Sequence, residues 1–229
     1  MKKILITLLS LVGYVTGFTQ CNDYYVMENG TSWAYETYNN KGKLSNRMQQ
    51  TVKAFEKTAT GFVATVNAVT TNEKGKELTK GEFEMSCSGG TFIIDMRKFI
   101  PEEQQKMFES YKMTVQSENL ELPSKLTVGQ TLKNGSVTMT AEGSPLPMKM
   151  TVQITERKVV GQETITTPAG TYQCFKLTSK STVSTQMGVN MTFNFSSTEW
   201  LAPKVGMVKT ESFDKNGKSS GYTQLASYK

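Results

Sequence analysis

Apolar and polar residues alternate one by one over long stretches of this chain, and this period of two most constrains the possible fold. In residues 187–195 every second residue is apolar, and those between are Gly, Asn or Thr. Residues 146–154 follow the same rule. Because successive side chains of a β-strand point to opposite faces, each run buries one face and exposes the other. This pattern is typical of antiparallel sheets and predicts a mainly all-β chain.

Short polar turns that contain glycine separate the alternating runs. Such turns occur at residues 40–43, 73–76 and 215–218, and each carries lysine. Glycine supplies the positive φ that tight hairpins require, and Asn-Gly is a strong hairpin signal. We therefore predict three hairpin tips. Their lysines belong either to solvated turns that discourage edge-to-edge aggregation or to a patch for an anionic ligand.

One segment, residues 101–112, departs from the strand pattern. It begins with a proline and two glutamates, which suit the first turn of a helix. Met107, Phe108 and Tyr111 share one face at helical spacing. We predict one short amphipathic helix that lies across the apolar face of the sheet as a lid. Residues 117–125 are interpreted as a loop.

The N-terminus has the layout of an export signal. Lys2 and Lys3 precede an apolar run over residues 4–15, and a polar junction follows. Residues 1–20 are thus predicted to be a signal peptide, and residues 21–229 a single β domain with a possible lobe boundary near 117–125. No later apolar run approaches the roughly 20 residues of a spanning helix. We expect an exported protein, located in the periplasm or outside the cell.

Three cysteines bear on the fate of the exported chain. In an oxidising compartment three cysteines suggest one disulfide and one remaining thiol. Cys174 lies in an amphipathic run and suits a small buried hydrophobe, so Cys21 and Cys87 are the predicted pair. The alternative is a lipid on Cys21, which would make the protein an outer-membrane lipoprotein. Gln20 is unusual before a lipidated cysteine, where a small residue is the norm.

Composition argues against several function classes. The chain has no histidine, which removes the commonest general base and the imidazole ligands of most catalytic zinc sites. We therefore expect a protein that is not an enzyme and has no catalytic residues, cofactor or metal site. The net charge is +6, but its lysines are scattered rather than concentrated in a stripe, so nucleic acid is not an expected partner.

The C-terminal half carries specific local sequences. Residues 166–177 read TTPAGTYQCFKL, residues 199–209 read EWLAPKVGMVK, and the hairpin DKNGK follows at 214–218. This succession resembles the TapB-like group of exported proteins, related to a widespread envelope domain of unknown function. The resemblance implies a strongly curved antiparallel sheet or half-open barrel, similar in architecture to lipid-carrying envelope proteins. It brings no catalytic residues.

Two functions of different class follow. In the first, the protein binds or carries a lipid or other apolar ligand in the concave sheet, with the helix as lid. The predicted lining residues are the apolar members of the two alternating runs: Leu146, Met148, Met150, Val152, Met187, Val189, Met191, Phe193 and Phe195. In the second, this face is a closed core, and the protein is a structural or assembly component of the cell surface with an envelope protein partner.

Overall fold

A computed structural model describes residues 24–99, 111–143 and 148–229. These residues form thirteen strands that pair antiparallel in one sheet, together with one 3-10 helix (Met96–Phe99). The all-β prediction is confirmed. The strands are β1 (Ser32–Asn39), β2 (Leu44–Thr58), β3 (Gly61–Asn72), β4 (Glu77–Ser88), β5 (Thr91–Ile94), β6 (Lys112–Glu118), β7 (Leu120–Pro123), β8 (Gly135–Glu142), β9 (Met148–Thr167), β10 (Gly170–Met187), β11 (Val189–Ala202), β12 (Gly206–Phe213) and β13 (Ser219–Tyr228).

The two ends of the sheet are consecutive in the chain. The strand order is β6-β8-β9-β10-β11-β12-β13-β1-β2-β3-β4-β5-β7, and only Asn119 separates β6 from β7. The stretch from β6 to β7 therefore pairs with β8 along its first part and with β5 along its second. The side chain of Asn119 accepts a hydrogen bond from the backbone N–H of Met96 at 3.2 Å. One stretch of chain thus joins both ends of the sheet into a nearly closed barrel.

The barrel is joined around one rim and split at the other. Here the open rim is the end that holds the turns after β1, β3, β10 and β12. Toward this rim, β4 pairs with β5 only from Met85 onward, and β11 pairs with β12 only from Ser196 onward. The sheet consequently divides into a five-stranded wing (β6, β8, β9, β10 and β11) and a six-stranded wing (β12, β13, β1, β2, β3 and β4). The opposite end is the closed rim.

Three turns of the open rim have the same construction. The side-chain oxygen of Asn39 accepts hydrogen bonds from the backbone N–H groups of Lys41 and Lys43. Asn72 and Asp214 make the equivalent pairs of bonds in their own turns. A glycine with φ between 72° and 83° occupies the same position in each turn. The three predicted hairpin tips are confirmed, and each is fixed by an Asn or Asp side chain.

Aromatic packing fills the closed rim. Trp33 is buried, and its indole N–H donates a hydrogen bond to the carbonyl of Val205 at 2.7 Å. The ring of Tyr25 stacks on Phe92 with centroids 4.8 Å apart, and its edge meets Trp33. Gly206 has φ of 90°, and a Cβ atom there would overlap the Tyr25 ring. The corner between β11 and β12 therefore also accommodates the core residue Tyr25.

Two sequence predictions need correction here. Residues 101–110 of the predicted helix lie outside the described residues, but Lys112 is the first residue of β6 and does not belong to a helix. Residues 117–125 are not simply a loop, since they contain the end of β6 and all of β7. The reason is that Leu120 and Leu122 alternate as strand residues and are both buried. The division into domains stays a prediction.

Barrel closure depends on a close approach between β7 and β8. A Cβ atom added at Gly135 would lie 2.6 Å from Cδ2 of Leu120, whereas one added at Gly161 of β9 meets nothing within 4 Å. Neither glycine has positive φ. We expect Gly135→Ala to lower the free energy of unfolding by about 1–3 kcal/mol, because the buried Leu120 must shift. Gly161→Ala is the matched control and should be neutral within about 0.5 kcal/mol. Equal effects in urea unfolding would contradict this view of the closure.

Candidate functional site

Both alternating runs of the sequence lie on one face of the five-stranded wing. Val183 of β10 pairs directly with Val152 of β9 and with Phe193 of β11. Thr185 pairs with Met150 and Met191 in the same way. Directly paired residues of neighbouring strands share a face. The structure therefore brings most of the predicted lining residues together: Met148, Met150, Val152, Met187, Val189, Met191, Phe193 and Phe195. Leu146 lies outside the described residues.

This face is the inner face of the barrel. Met150 and Val152 pack in a buried cluster with Met96 of the 3-10 helix and Leu120 of β7. Those two residues come from the opposite end of the strand order, so the cluster spans the closure. The face that contains the cluster is consequently turned toward the interior.

The inner face is covered on one side and exposed on the other. Met150 and Val152 are each 5% exposed, whereas Val189 is 69% and Phe193 is 55% exposed. Met191 and Phe195 are also exposed. Exposed large apolar side chains are ordinary when scattered, but a contiguous row indicates a surface that binds something. We define the apolar hairpin as residues 181–196, the ends of β10 and β11 that face the open rim.

The same face extends over residues that the sequence interpretation missed. Met139 and Val137 of β8 pair with Met150 and Val152, and Val115 of β6 pairs with Met139. Their signal was present, because β8 also alternates apolar and polar residues. The hydroxyl of Thr185 is the polar atom in the middle of the face. It is buried and has no hydrogen-bond partner among the described residues.

The predicted lid is described only at its end. Met107 and Phe108 lie outside the described residues. Tyr111 is half-buried and packs against the same buried cluster as Met148 and Val183. A position beside the inner face is what the lid prediction requires of Tyr111, while the lid role itself stays a prediction.

Two of the three cysteines lie near the closed rim. Cys87 and Cys174 are both buried in the main core, and Cys174 is a free thiol. Burial raises the pKa of Cys174 to about 11, which favours the protonated thiol at neutral pH. Cys21 lies outside the described residues. Its pairing with Cys87, and the alternative of a lipid on Cys21, both stay predictions.

A charged cleft of about 300 Å³ lies where the barrel splits between β4 and the 3-10 helix. Arg97 pairs with Asp95 in this cleft at 2.5 Å. The Nζ atom of Lys98 lies 5.4 Å from the ring centroids of Phe83 and Phe99. The cleft is lined by Glu82, Phe83, Glu84, Asp95, Arg97 and Lys98. It is therefore polar and distinct from the apolar face.

Three charged groups interact within the barrel. Removal from water raises the pKa of Glu199, while the nearby charges of Arg157 and Lys98 oppose this shift. Partial desolvation of its ammonium group lowers the pKa of Lys98, although the residue as a whole remains exposed at the cleft. Arg157 is buried and its guanidinium donates to the carbonyls of Glu121 and Lys133 at 3.0 and 2.5 Å. Arg157 of β9 is thus hydrogen-bonded both to β7 and to the segment that precedes β8. These bonds lie beside β7, where the barrel closes.

Within the part of the chain that the structure describes, no group of three or more His, Cys, Asp and Glu residues is arranged to hold a metal ion. A helix long and apolar enough to span a bilayer is also lacking in residues 24–99, 111–143 and 148–229.

Comparisons with known proteins give the fold but not an activity. The model of the DUF3108-like family matches residues 28–225. A crystal structure from Bacteroides fragilis, of a protein inferred to be exported and with a YmcC-like fold, is 20% identical with a TM-score of 0.72. It covers 91% of this chain and 100% of its own. A crystal structure from Parabacteroides distasonis, of a protein inferred to be a lipoprotein, is 25% identical with a TM-score of 0.74. It covers 92% of this chain and 100% of its own.

No curated protein matches the chain. The predicted relation to a domain of unknown function is confirmed, whereas the narrower TapB-like resemblance is not.

The raised pKa of Glu199 makes stability depend on pH in a defined direction. Ionisation of Glu199 costs more in the folded protein than in the unfolded chain, so its contribution to stability falls as pH rises through the folded pKa. We expect Glu199→Gln to be more stable than the parent near pH 7. The difference should vanish below the ordinary pKa of glutamate, as measured by thermal unfolding across pH. Glu56→Gln, at an exposed position, is the matched control for the loss of one glutamate charge. A destabilised Glu199→Gln near pH 7 would show that pairing with Arg157 and Lys98 outweighs burial.

Proposed function

We propose that this chain, which belongs to the DUF3108-like family, is an exported envelope protein that holds a lipid or another apolar molecule along its inner face. The observation that carries the proposal is the row of exposed side chains on the apolar hairpin. It continues a buried apolar cluster without a break in the pairing of the strands. A ligand on this row would extend the buried core across residues that now face solvent.

The size and chemistry of the row favour an elongated apolar ligand. Residues 189–195 extend over roughly 20 Å at the usual rise of a strand. Met191 and Phe193 offer flexible and aromatic contacts, which suit apolar ligands of varied shape. Burial of a fully exposed Phe or Met side chain contributes about 1.5–3 kcal/mol, so a few such contacts support micromolar binding.

Polar groups within the face and beside its buried end favour an amphipathic ligand over a pure hydrocarbon. Thr185 places an unpaired hydroxyl between Met150 and Met191. Met96, which covers the buried end of the face, is two residues from Lys98 in the charged cleft. A ligand with a polar or anionic head and an apolar chain would match both groups. The predicted lid residues Met107, Phe108 and Tyr111 would close over the apolar chain of the ligand.

Native mass spectrometry of gently purified protein tests this proposal. The parent protein should carry a non-covalent ligand mass that denaturation removes. Phe193→Glu places a charge on the exposed part of the row and should abolish the bound mass. Asn194→Glu places the same charge on the other face of the same strand and should retain it. A ligand-free parent, or equal loss in both variants, would contradict the proposal.

The edge of β11 supports a second candidate, an assembly component with an envelope protein partner. No described strand pairs with the outer edge of residues 189–195, and this stretch has neither the lysine nor the proline that usually protects an edge. An extended segment of a partner could add to the sheet there. A photo-reactive residue in place of Thr192 would capture such a partner in intact cells. Capture together with a ligand-free mass would favour this candidate over the first.

A further inference from the structure

Lysine-rich turns and the apolar hairpin lie at the same rim of the barrel. The turns after β12, β1 and β3 belong to neighbouring antiparallel hairpins, so all three lie at the open rim. Because β11 runs antiparallel to β12 and passes beyond its end, the tip of the apolar hairpin lies there as well. The sequence separates these four features by up to about 175 residues, and the sheet brings them together.

The three turns concentrate positive charge at this rim. Lys41, Lys43, Lys74, Lys76, Lys215 and Lys218 are all exposed. Against Glu73 and Asp214 they leave a net charge of +4 in the turns. The carboxylate of Asp214 accepts two backbone hydrogen bonds within its own turn. Apart from the exposed carboxylate of Glu73, the charges that the turns present outward are the lysine ammonium groups.

The apolar hairpin projects from the rim without any charge. No charged residue occurs between Lys180 and Glu199, in a chain of which 20% is charged. The pairing of β11 with β12 begins at Ser196, which lies opposite Phe213, so the seven preceding residues of β11 project beyond β12. Its tip carries Met187 and Val189, both exposed. An exposed apolar projection beside a basic rim combines the two features that attach peripheral proteins to anionic membranes.

We propose that the open rim docks on the surface of a bilayer that contains anionic phospholipid. The lysines of the three turns contact the lipid headgroups, and Val189, Met191 and Phe193 enter the boundary between headgroups and acyl chains. The row on which we place the ligand would then begin at the membrane, so a lipid could pass between the bilayer and the barrel. This deepens the proposed function, although membrane docking itself needs no bound ligand.

Charge distribution favours a membrane over a second copy of the chain as the occupant. The uncharged edge of β11 would also permit pairing between two copies. In such a pair the lysine-rich turns of the two copies would either repel one another or make no contact with the partner copy. An anionic surface contacts the turns and the hairpin together, and so accounts for both.

Vesicle flotation tests the proposal with the full exported protein. Vesicles of equal parts phosphatidylcholine and phosphatidylglycerol should carry the protein to the top of the gradient, and vesicles of phosphatidylcholine alone should not. Added salt should weaken binding, because exposed charges are screened. The triple variant Lys41→Gln, Lys74→Gln, Lys215→Gln should bind at least roughly tenfold more weakly.

A matched triple variant separates local from overall charge. Lys57, Lys125 and Lys229 are exposed near the closed rim, and their change to Gln removes the same total charge. That variant should keep binding close to the parent level. Val189→Gln should weaken binding, whereas Asn190→Gln, on the other face of the strand, should not.

Several outcomes would overturn the proposal. The first is an equal loss of vesicle binding in the two triple variants. The second is binding that does not depend on anionic lipid. The third is a stable dimer in light scattering that does not bind vesicles. Failure of docking differs from failure of the proposed function. If the protein carries a ligand mass but does not rise with the vesicles, the proposed function stands and membrane docking is wrong. If it rises with the vesicles but carries no ligand mass, docking stands and the proposed function is wrong.

Discussion

The fold depends on one stretch of chain that serves both ends of the sheet. Residues from β6 to β7 complete the pairing of β8 and then of β5, with Leu120 seated over Gly135. Without this stretch, β8 and β5 would be edge strands with unpaired backbone groups. Because this stretch changes partner at Asn119, it closes the barrel toward one rim and leaves it split toward the other. Arg157 reinforces the closure through the carbonyls of Glu121 and Lys133.

Because the barrel is split toward the open rim, its inner face is partly buried and partly exposed. Where the closure is complete, Met96 and Leu120 cover the apolar residues of β8 and β9. Farther along the same rows, β10 and β11 continue without cover, and Val189 and Phe193 remain exposed. These exposed apolar side chains are available for contacts with apolar molecules. The proposed ligand and the proposed bilayer contact both use this uncovered surface, one along the hairpin and one at its tip.

The sequence predicted what depends on local rules. Alternation placed the lining residues on shared faces because strand geometry has a fixed period of two, and the three glycine-containing hairpin tips follow from backbone preferences. It did not predict closure, since nothing local marks Leu120 and Gly135 as neighbours. The assignment of 117–125 to a loop was wrong for the same reason: two short strands with different partners look irregular along the chain. Glu199 and Arg157 were missed because their interaction depends on barrel geometry.

The most direct measurement of the central claim is a crystal structure of the protein purified gently from its own envelope. We expect elongated electron density along Met191 and Phe193 that no part of the chain explains, with Thr185 close to a polar atom of the bound molecule. Side chains of the protein itself filling that space, with no additional density, would contradict the claim that the inner face is a ligand site.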